Sequence, residues 1–221
     1  MSTSRKPQSN GEKQESLIDR FTSSTHPAVS LARDLLWVAC VVLGVALLLF
    51  IIFGTWPAVV AVESESMLPG MQVGDLVFVA APDRFWTLTT AKEGIETGHT
   101  MFGNPGDVII FRPNGDSSVH PIIHRALTHI TAEEAEELLG FTNADSGILT
   151  QGDNNPVIDQ VTTHPHIGRI KPVRDEWIIG KAVYSVPIVG YLPLHIVEFA
   201  VLIIAIIIIQ ELIASRRREE K

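Results

Sequence analysis

Two long apolar stretches separate a polar middle block from two polar ends. Residues 35–55 contain no charged side chain, and residues 200–209 form an uninterrupted apolar run within the second stretch, 192–214. At a rise of about 1.5 Å per residue, about 20 apolar residues cross the roughly 30 Å hydrocarbon core of a bilayer. Each stretch therefore predicts a transmembrane helix, although His195 and Glu198 leave a buried core helix as the alternative for the second.

Basic residues beside the two stretches predict how the chain crosses the membrane. Arg33 precedes the first stretch, and three arginines at 216–218 follow the second. Because Lys and Arg favour the cytoplasmic side of a span, we expect a two-pass protein of the cell membrane with both ends cytoplasmic. The predicted parts are a disordered cytoplasmic tail at 1–34, a transmembrane helix at 35–55, an extracytoplasmic β-rich domain at 56–191, a second transmembrane helix at 192–214 and a basic cytoplasmic tail at 215–221.

Short runs of β-branched and aromatic residues in the middle block are bounded by Gly, Pro, Asn and Asp, which predicts strands. These runs lie at residues 74–79, 106–111, 119–127, 147–151 and 177–185. Residues 131–139 instead predict an acidic helix, because Thr131 and Glu134 have the spacing of a capping box. The expected fold class is mainly β, and residues 82–105 have no assignment.

Charge and cysteine content exclude some classes of function. The net charge is −8, and the arginines at 216–218 form the one basic cluster, so we do not expect nucleic acid as a partner. The single cysteine, Cys40, lies in the first apolar stretch. An internal disulfide is therefore impossible, and cysteine chemistry is not expected.

Three short segments carry side chains that could act together in hydrolysis. Ser64 and Ser66 follow the first apolar stretch, His124 interrupts a strand-like run, and Asp153 and Asp159 lie in and after a Gly-Asp-Asn-Asn segment. A neutral imidazole can accept a proton from a serine hydroxyl, and a carboxylate can fix the tautomer of that imidazole. Spacing alone does not choose between the two aspartates.

Each segment also has a purely structural interpretation. Loop serines and Gly-Asp-Asn-Asn segments commonly form turns, and a histidine in an apolar strand is usually a satisfied core side chain. Four histidines, His120, His124, His164 and His166, leave a zinc-dependent hydrolase open. A third alternative is a non-catalytic, membrane-anchored subunit that uses the β domain for binding or assembly.

Taken together, the segments resemble type I signal peptidases of the archaeal and endoplasmic reticulum kind. The resemblance covers roughly residues 35–192, and its motifs are Ser-Glu-Ser-Met-Leu-Pro at 64–69, Gly-Asp-apolar at 74–79, Ile-His-Arg at 123–125, Gly-Asp-Asn-Asn at 152–155 and Gly-Lys-Ala-Val-Tyr-Ser-Val-Pro at 180–187. It implies a membrane-bound serine endopeptidase that removes signal peptides at the outer membrane surface and needs no cofactor or metal. The implied partners are preprotein signal peptides, the lipid bilayer and the protein translocation machinery.

The resemblance also implies a role for each candidate residue. Ser66 is the nucleophile, and His124 takes the place of the lysine base of the bacterial branch. Asp159 matches the acid that acts on the histidine, and Asp153 matches an adjacent supporting acid. The Ser64 hydroxyl and the Ser66 backbone N–H would form the oxyanion hole.

Overall fold

The computed structural model describes residues 26–143 and 145–219. Residues 1–25 of the predicted N-terminal tail and residues 220–221 of the predicted C-terminal tail lie outside the described residues. Contacts divide the described chain into two units, with the boundary between residues 48 and 49. The second unit contains the β-rich domain.

The first helix, α1 (Pro27–Phe53), contains the predicted N-terminal span. It begins at Pro27, so residues 27–34 of the predicted tail are helical. Proline suits a first helical position because its φ is already helical and its missing N–H is not needed there. Gly54 follows the last residue with a φ of +74°, as is common where a helix ends. None of the α1 side chains is buried, and the helix is long and apolar enough to cross a membrane.

Six antiparallel strands form the main sheet, in the order β1-β2-β10-β5-β6-β7. Their bounds are β1 Val59–Ala61, β2 Leu76–Ala80, β5 Val108–Phe111, β6 Ile122–Ile130, β7 Gly147–Gln151 and β10 Ile178–Val186. All but β1 correspond to runs predicted from the sequence. The mainly β fold is therefore confirmed.

Two groups of buried apolar side chains hold this sheet. Val108 and Ile110 of β5 belong to one group, whereas Ile109 and Phe111 belong to the other. Since successive side chains of a strand point to opposite faces, β5 contributes to a core on each side of the sheet. All four of its residues are buried, as expected for a strand covered on both faces.

The segment without an assignment, residues 82–105, contains a capped helix and a short hairpin. Helix α2 (Ala91–Thr97) has a complete capping box between Thr90 and Glu93. It is followed by strands β3 (Thr100–Met101) and β4 (Asn104–Pro105). The predicted acidic helix is confirmed as α3 (Ala132–Leu139), with its capping box between Thr131 and Glu134. A second short hairpin pairs β8 (Thr163–His164) with β9 (Gly168–Arg169).

The described chain ends in helices α4 (Tyr191–Leu194) and α5 (Ile196–Glu219). The apolar part of α5, Ile196–Gln210, is shorter than the roughly 20 apolar residues that a membrane span needs. A helix thus occupies the predicted second stretch, and the membrane crossing remains a prediction.

Candidate active site

Ser66 lies on a short 3-10 helix, Glu65–Met67, that follows β1. The next side chain, Met67, is fully buried in one of the two core groups and fixes this turn against the sheet. The Ser66 hydroxyl lies 3.1 Å from the hydroxyl of Ser64. Asn154 ties the turn to the loop after β7, because its backbone N–H donates to Ser66 O at 2.8 Å and its side-chain amide donates to Glu65 O at 3.1 Å.

His124 lies on β6, which is flanked by β5 and the edge strand β7, and it is opposite Ile109 of β5. Alternation along β6 places its side chain on the face that also carries Ile122 and Ala126. The residue is only 8% exposed. Neighbouring strands on both sides therefore hold the imidazole in a defined position.

Asp159 is the carboxylate that contacts His124. Its Oδ2 lies 2.7 Å from His124 Nδ1 and also accepts a hydrogen bond of 2.7 Å from Thr150 Oγ1. Asp159 begins the 3-10 helix Asp159–Val161 and is 4% exposed. An ionised carboxylate only accepts hydrogen bonds, so we infer that the neutral imidazole carries its proton on Nδ1. Its Nε2 then has a free lone pair and can act as a base.

Gly152 marks the point at which the serine turn and the histidine meet. A Cβ atom placed on Gly152 would lie 2.6 Å from Ser66 O and 2.9 Å from His124 Nε2. Real Cβ contacts are not this short, so glycine is required where the two segments approach one another. Ser66 and His124, far apart in the sequence, therefore meet at Gly152, and Asp159 contacts the other ring nitrogen of His124, Nδ1. In the described contacts, the Ser66 hydroxyl pairs with Ser64 and not with His124.

Asp153 occupies a different place from Asp159. Its carboxylate accepts two hydrogen bonds from Arg125, from Nε at 2.7 Å and from Nη2 at 2.6 Å, and a third from Asn104 Nδ2 at 3.0 Å. Arg125 also donates to the backbone oxygens of Gly106 at 2.7 Å and Met101 at 3.1 Å. Asp153 therefore fastens the β3–β4 hairpin to the loop after β7, and in the described contacts it does not reach His124.

Sequence reasoning did not identify Thr150 as part of the site. Thr150 is fully buried on β7, two residues after the buried Ile148 and on the same face of the strand. Strand alternation predicts that Thr150 is buried, and a buried polar side chain needs a hydrogen-bond partner. This requirement is the feature of the sequence that could have pointed to Thr150. Asn154 was recognised only as a turn residue, because a turn motif does not indicate which segment the turn will contact.

Two cavities adjoin the segment that leads into the serine turn, one at Glu63 and one at Ser64. One, of about 290 Å³, is mostly apolar and includes Val60, Ile110 and Ile123 in its lining. The other, of about 740 Å³, includes Ser64 and three of the four histidines considered for zinc, His120, His164 and His166. Within residues 26–143 and 145–219, no three His, Cys, Asp or Glu side chains gather in a way that could hold a metal ion.

The buried lysine of the sheet, Lys181, has its own partners. Its ammonium group donates to Trp86 O and lies 4.3 Å from the centre of the Trp86 ring. Burial lowers the pKa of Lys181, and the carboxylates of Asp107 and Asp83 partly offset this shift. Asp107 also accepts from Trp86 Nε1 and pairs with His99 at 2.8 Å. This cluster attaches residues 82–105 to the sheet.

Comparison with known proteins gives one consistent group of relatives. No family model matches the sequence. The chain is 32% identical over 178 residues to the signal peptidase complex catalytic subunit SEC11 of Schizophyllum commune, covering 76% of this chain and 80% of that protein. It is 29% identical over 144 residues to SEC11 of Komagataella phaffii, covering 63% and 67% of the two chains. The corresponding protein of Plasmodium falciparum is 28% identical over 160 residues, which cover 72% of this chain and 70% of that protein.

Proposed function

This chain belongs to the type I signal peptidase family, and we propose that it is a membrane-bound serine endopeptidase that removes N-terminal signal peptides from secreted and membrane preproteins. The observation that carries this proposal is the approach of the Ser66 turn to His124 Nε2 at Gly152, together with the contact of Asp159 with His124 Nδ1. A hydroxyl, an imidazole and a carboxylate in this relation are the parts that acyl transfer from a peptide bond requires.

The chemistry begins at the Ser66 hydroxyl. As Oγ attacks the scissile carbonyl carbon, His124 Nε2 takes its proton and the imidazole becomes positively charged. Asp159, 2.7 Å from Nδ1, stabilises that charge. His124 then gives the proton to the leaving amine, which releases the mature protein and leaves an acyl group on Ser66. Water, deprotonated by His124, hydrolyses the acyl-enzyme and regenerates the serine.

The negative charge that develops on the carbonyl oxygen needs hydrogen-bond donors. We assign this role to the Ser66 backbone N–H and to the Ser64 hydroxyl, which lies 3.1 Å from the Ser66 hydroxyl. Ser64 can turn its hydrogen from Ser66 to the substrate once the tetrahedral intermediate forms. Donors of this kind contribute about 3 kcal/mol each to transition-state stabilisation.

The substrate would lie along the edge of the sheet beside β1. β1 is the edge strand, so an extended peptide can pair with its free backbone groups. The cavity of about 290 Å³ beside Val60, Ile110 and Ile123 would take small apolar side chains that precede the cut. The cavity would favour apolar over charged side chains at these substrate positions, because a charged side chain would lose its hydration there.

The membrane would bring the substrate to the site. We propose that α1 anchors the protein in the cell membrane with the β-rich domain extracytoplasmic, and that α5 forms a second span. Strand β1 is the one regular element between the end of α1 at Phe53 and the serine turn at Glu65–Met67. A signal peptide in the same bilayer would then meet the serine at a high effective concentration. The relatives are named as subunits of a signal peptidase complex, and the translocation machinery is the partner we propose here.

The test is cleavage of a precursor by the purified full-length chain in detergent. The expected product is the mature protein, with a new N-terminus directly after the signal peptide, identified by sequencing. Ser66→Ala should give no product while it inserts into membranes as the wild-type protein does. A metal chelator should leave the cleavage rate unchanged. Cleavage by the Ser66→Ala variant would refute the assigned nucleophile, and a loss of activity with chelator would favour the zinc-dependent hydrolase.

A further inference from the structure

We propose that Thr150 is a positioning residue that holds the Asp159 carboxylate against His124, in an orientation set by the amide of Gln160. Thr150 and Gln160 are fully buried, and Asp159 is 4% exposed. The proposal rests on the proposed function, because it gives Thr150 a role in the same proton transfer. It also makes a claim about the imidazole that can be measured without a substrate.

The direction of each hydrogen bond in this group follows from the backbone. The Thr150 N–H can only donate, and it lies 3.1 Å from one side-chain atom of Gln160, which must therefore be the oxygen, Oε1. The other end of the amide, Nε2, then donates to Thr150 Oγ1 at 3.2 Å and to Lys171 O at 3.4 Å. Because the Gln160 amide supplies a hydrogen to the threonine oxygen, the threonine's own hydrogen points elsewhere.

That hydrogen points to Asp159. Thr150 Oγ1 donates to Asp159 Oδ2 at 2.7 Å. Asp159 Oδ2 also accepts a hydrogen bond from His124 Nδ1 at 2.7 Å. The hydrogen bonds therefore run in one direction, from Gln160 to Thr150 to the carboxylate, and the carboxylate receives the imidazole hydrogen from the other side. The final torsion of an aspartate side chain is soft. Without Thr150, the carboxylate could rotate and Oδ2 could leave Nδ1.

The position of the carboxylate fixes the tautomer of His124. When Oδ2 faces Nδ1, the neutral ring keeps its hydrogen on Nδ1 and presents the unprotonated Nε2 towards the serine turn. A rotated carboxylate would let the hydrogen move to Nε2, where it blocks the base. Thr150 thus acts through Asp159 and does not touch the substrate in this proposal.

The experiment compares three variants of the full-length protein in detergent. Thr150→Val removes the hydroxyl and keeps the shape, Thr150→Ser keeps the hydroxyl, and Thr128→Val makes the same change at a less buried threonine outside the site. Thr128 lies on the neighbouring strand β6, and its hydroxyl donates to the backbone oxygen of His129 at 3.3 Å. We expect Thr150→Val to lower kcat about tenfold, equivalent to about 1.4 kcal/mol, with KM nearly unchanged. Thr150→Ser and Thr128→Val should both stay close to the wild-type kcat.

The second readout is NMR of protein with ¹⁵N-labelled histidine rings, in which the ring nitrogen shifts distinguish the two tautomers. The His124 signals are assigned from their loss in His124→Ala. We expect the Nδ1–H form in the wild type and in Thr150→Ser, and a mixture of tautomers in Thr150→Val. A wild-type kcat in Thr150→Val, an equal loss in Thr150→Ser, or an unchanged tautomer in Thr150→Val would overturn the proposal. If wild-type protein cleaves no precursor, the proposed function fails, and the tautomer measurement still decides the role of Thr150.

Discussion

Substituting the two aspartates separately should distinguish a catalytic carboxylate from a structural one. Asp159→Asn replaces the group that contacts His124 by a neutral amide of the same shape. Asp153→Asn makes the same chemical change in a carboxylate that instead pairs with Arg125. Both residues are nearly buried in the same part of the fold. The two variants are therefore matched controls for one another.

The expected loss for Asp159→Asn follows from the ion pair that forms during the reaction. His124 Nδ1 and Asp159 Oδ2 are 2.7 Å apart, and both charges are spread over their groups. Taking the charge centres as about 4 Å apart, with an effective dielectric constant of about 20, the attraction is about 4 kcal/mol. The amide loses this attraction when the imidazole becomes charged. We therefore expect kcat to fall about a thousandfold, with KM much less affected.

Asp153→Asn should lower the stability of the protein much more than its kcat. Arg125 would keep a buried charge with no counter-charge, which costs about 3–5 kcal/mol of folding stability. We expect a fall in Tm of about 10 °C or more, while protein that is still folded keeps most of its kcat. Asp159→Asn should change Tm much less, because the amide can still form hydrogen bonds to Thr150 and His124.

The assay measures kcat and KM for precursor cleavage well below the Tm of each variant, and Tm itself by thermal unfolding in detergent. Two results would refute the reasoning. One is a wild-type kcat in Asp159→Asn. The other is a kcat in folded Asp153→Asn that is as low as that of Asp159→Asn, which would mean that both carboxylates act on the histidine.

Three further substitutions test other parts of the structure. Gly152→Ala should abolish cleavage, because its Cβ would lie 2.6 Å from Ser66 O, and precursor cleavage at wild-type rates would contradict the approach of the two segments. Ser64→Ala should lower kcat by about a hundredfold or more if its hydroxyl is an oxyanion donor, and an unchanged kcat would remove it from that role. Lys181→Met removes an amine whose pKa burial lowers below its ordinary value of 10.5. Between the lowered pKa and 10.5 the unfolded state binds more protons than the folded state. As the pH increases through this range, the stability of the wild type should therefore rise relative to that of Lys181→Met in unfolding measurements. A difference in stability that does not change with pH would argue against the lowered pKa.

Much of the sheet could be predicted because its strands are locally distinctive. The run at 147–151 matches β7 to the residue, and β5 lies within the run at 106–111. β1 could not be found in this way, because three residues between an apolar span and a turn have no alternation to detect. It becomes a strand only by pairing with β2, which is a long-range effect.

The segment at 82–105 was missed for a different reason. Thr90 and Glu93 have capping-box spacing and do start α2, but that helix has only seven residues and no clear apolar face. Its place in the fold depends on the cluster around Asp107 and Lys181, which joins positions distant in sequence. Local pattern carries no information on such contacts.

The candidate site shows the same limit. Ser66, His124 and the two aspartates could be nominated because their segments occur together and resemble a known family, whereas each segment alone also fits a turn or a core position. Spacing left the choice between Asp153 and Asp159 open, and only the family resemblance favoured Asp159. In the structure Asp153 pairs with Arg125, whereas Asp159 contacts His124. Strand alternation could indicate that Thr150 is a buried polar residue, but its contact with Asp159 could be seen only in the structure.

The most direct test of whether Ser66 and His124 act as one unit is a double-variant comparison of precursor cleavage. The residual rates of Ser66→Ala, His124→Ala and the double variant are measured over long incubations against an enzyme-free control. Residues that work in one step lose their joint contribution when either is removed, so we expect each single variant to be as slow as the double variant. Wild-type turnover by His124→Ala would show that the two residues do not share the catalytic step. The same conclusion would follow if the double variant lost activity by the product of the two single losses.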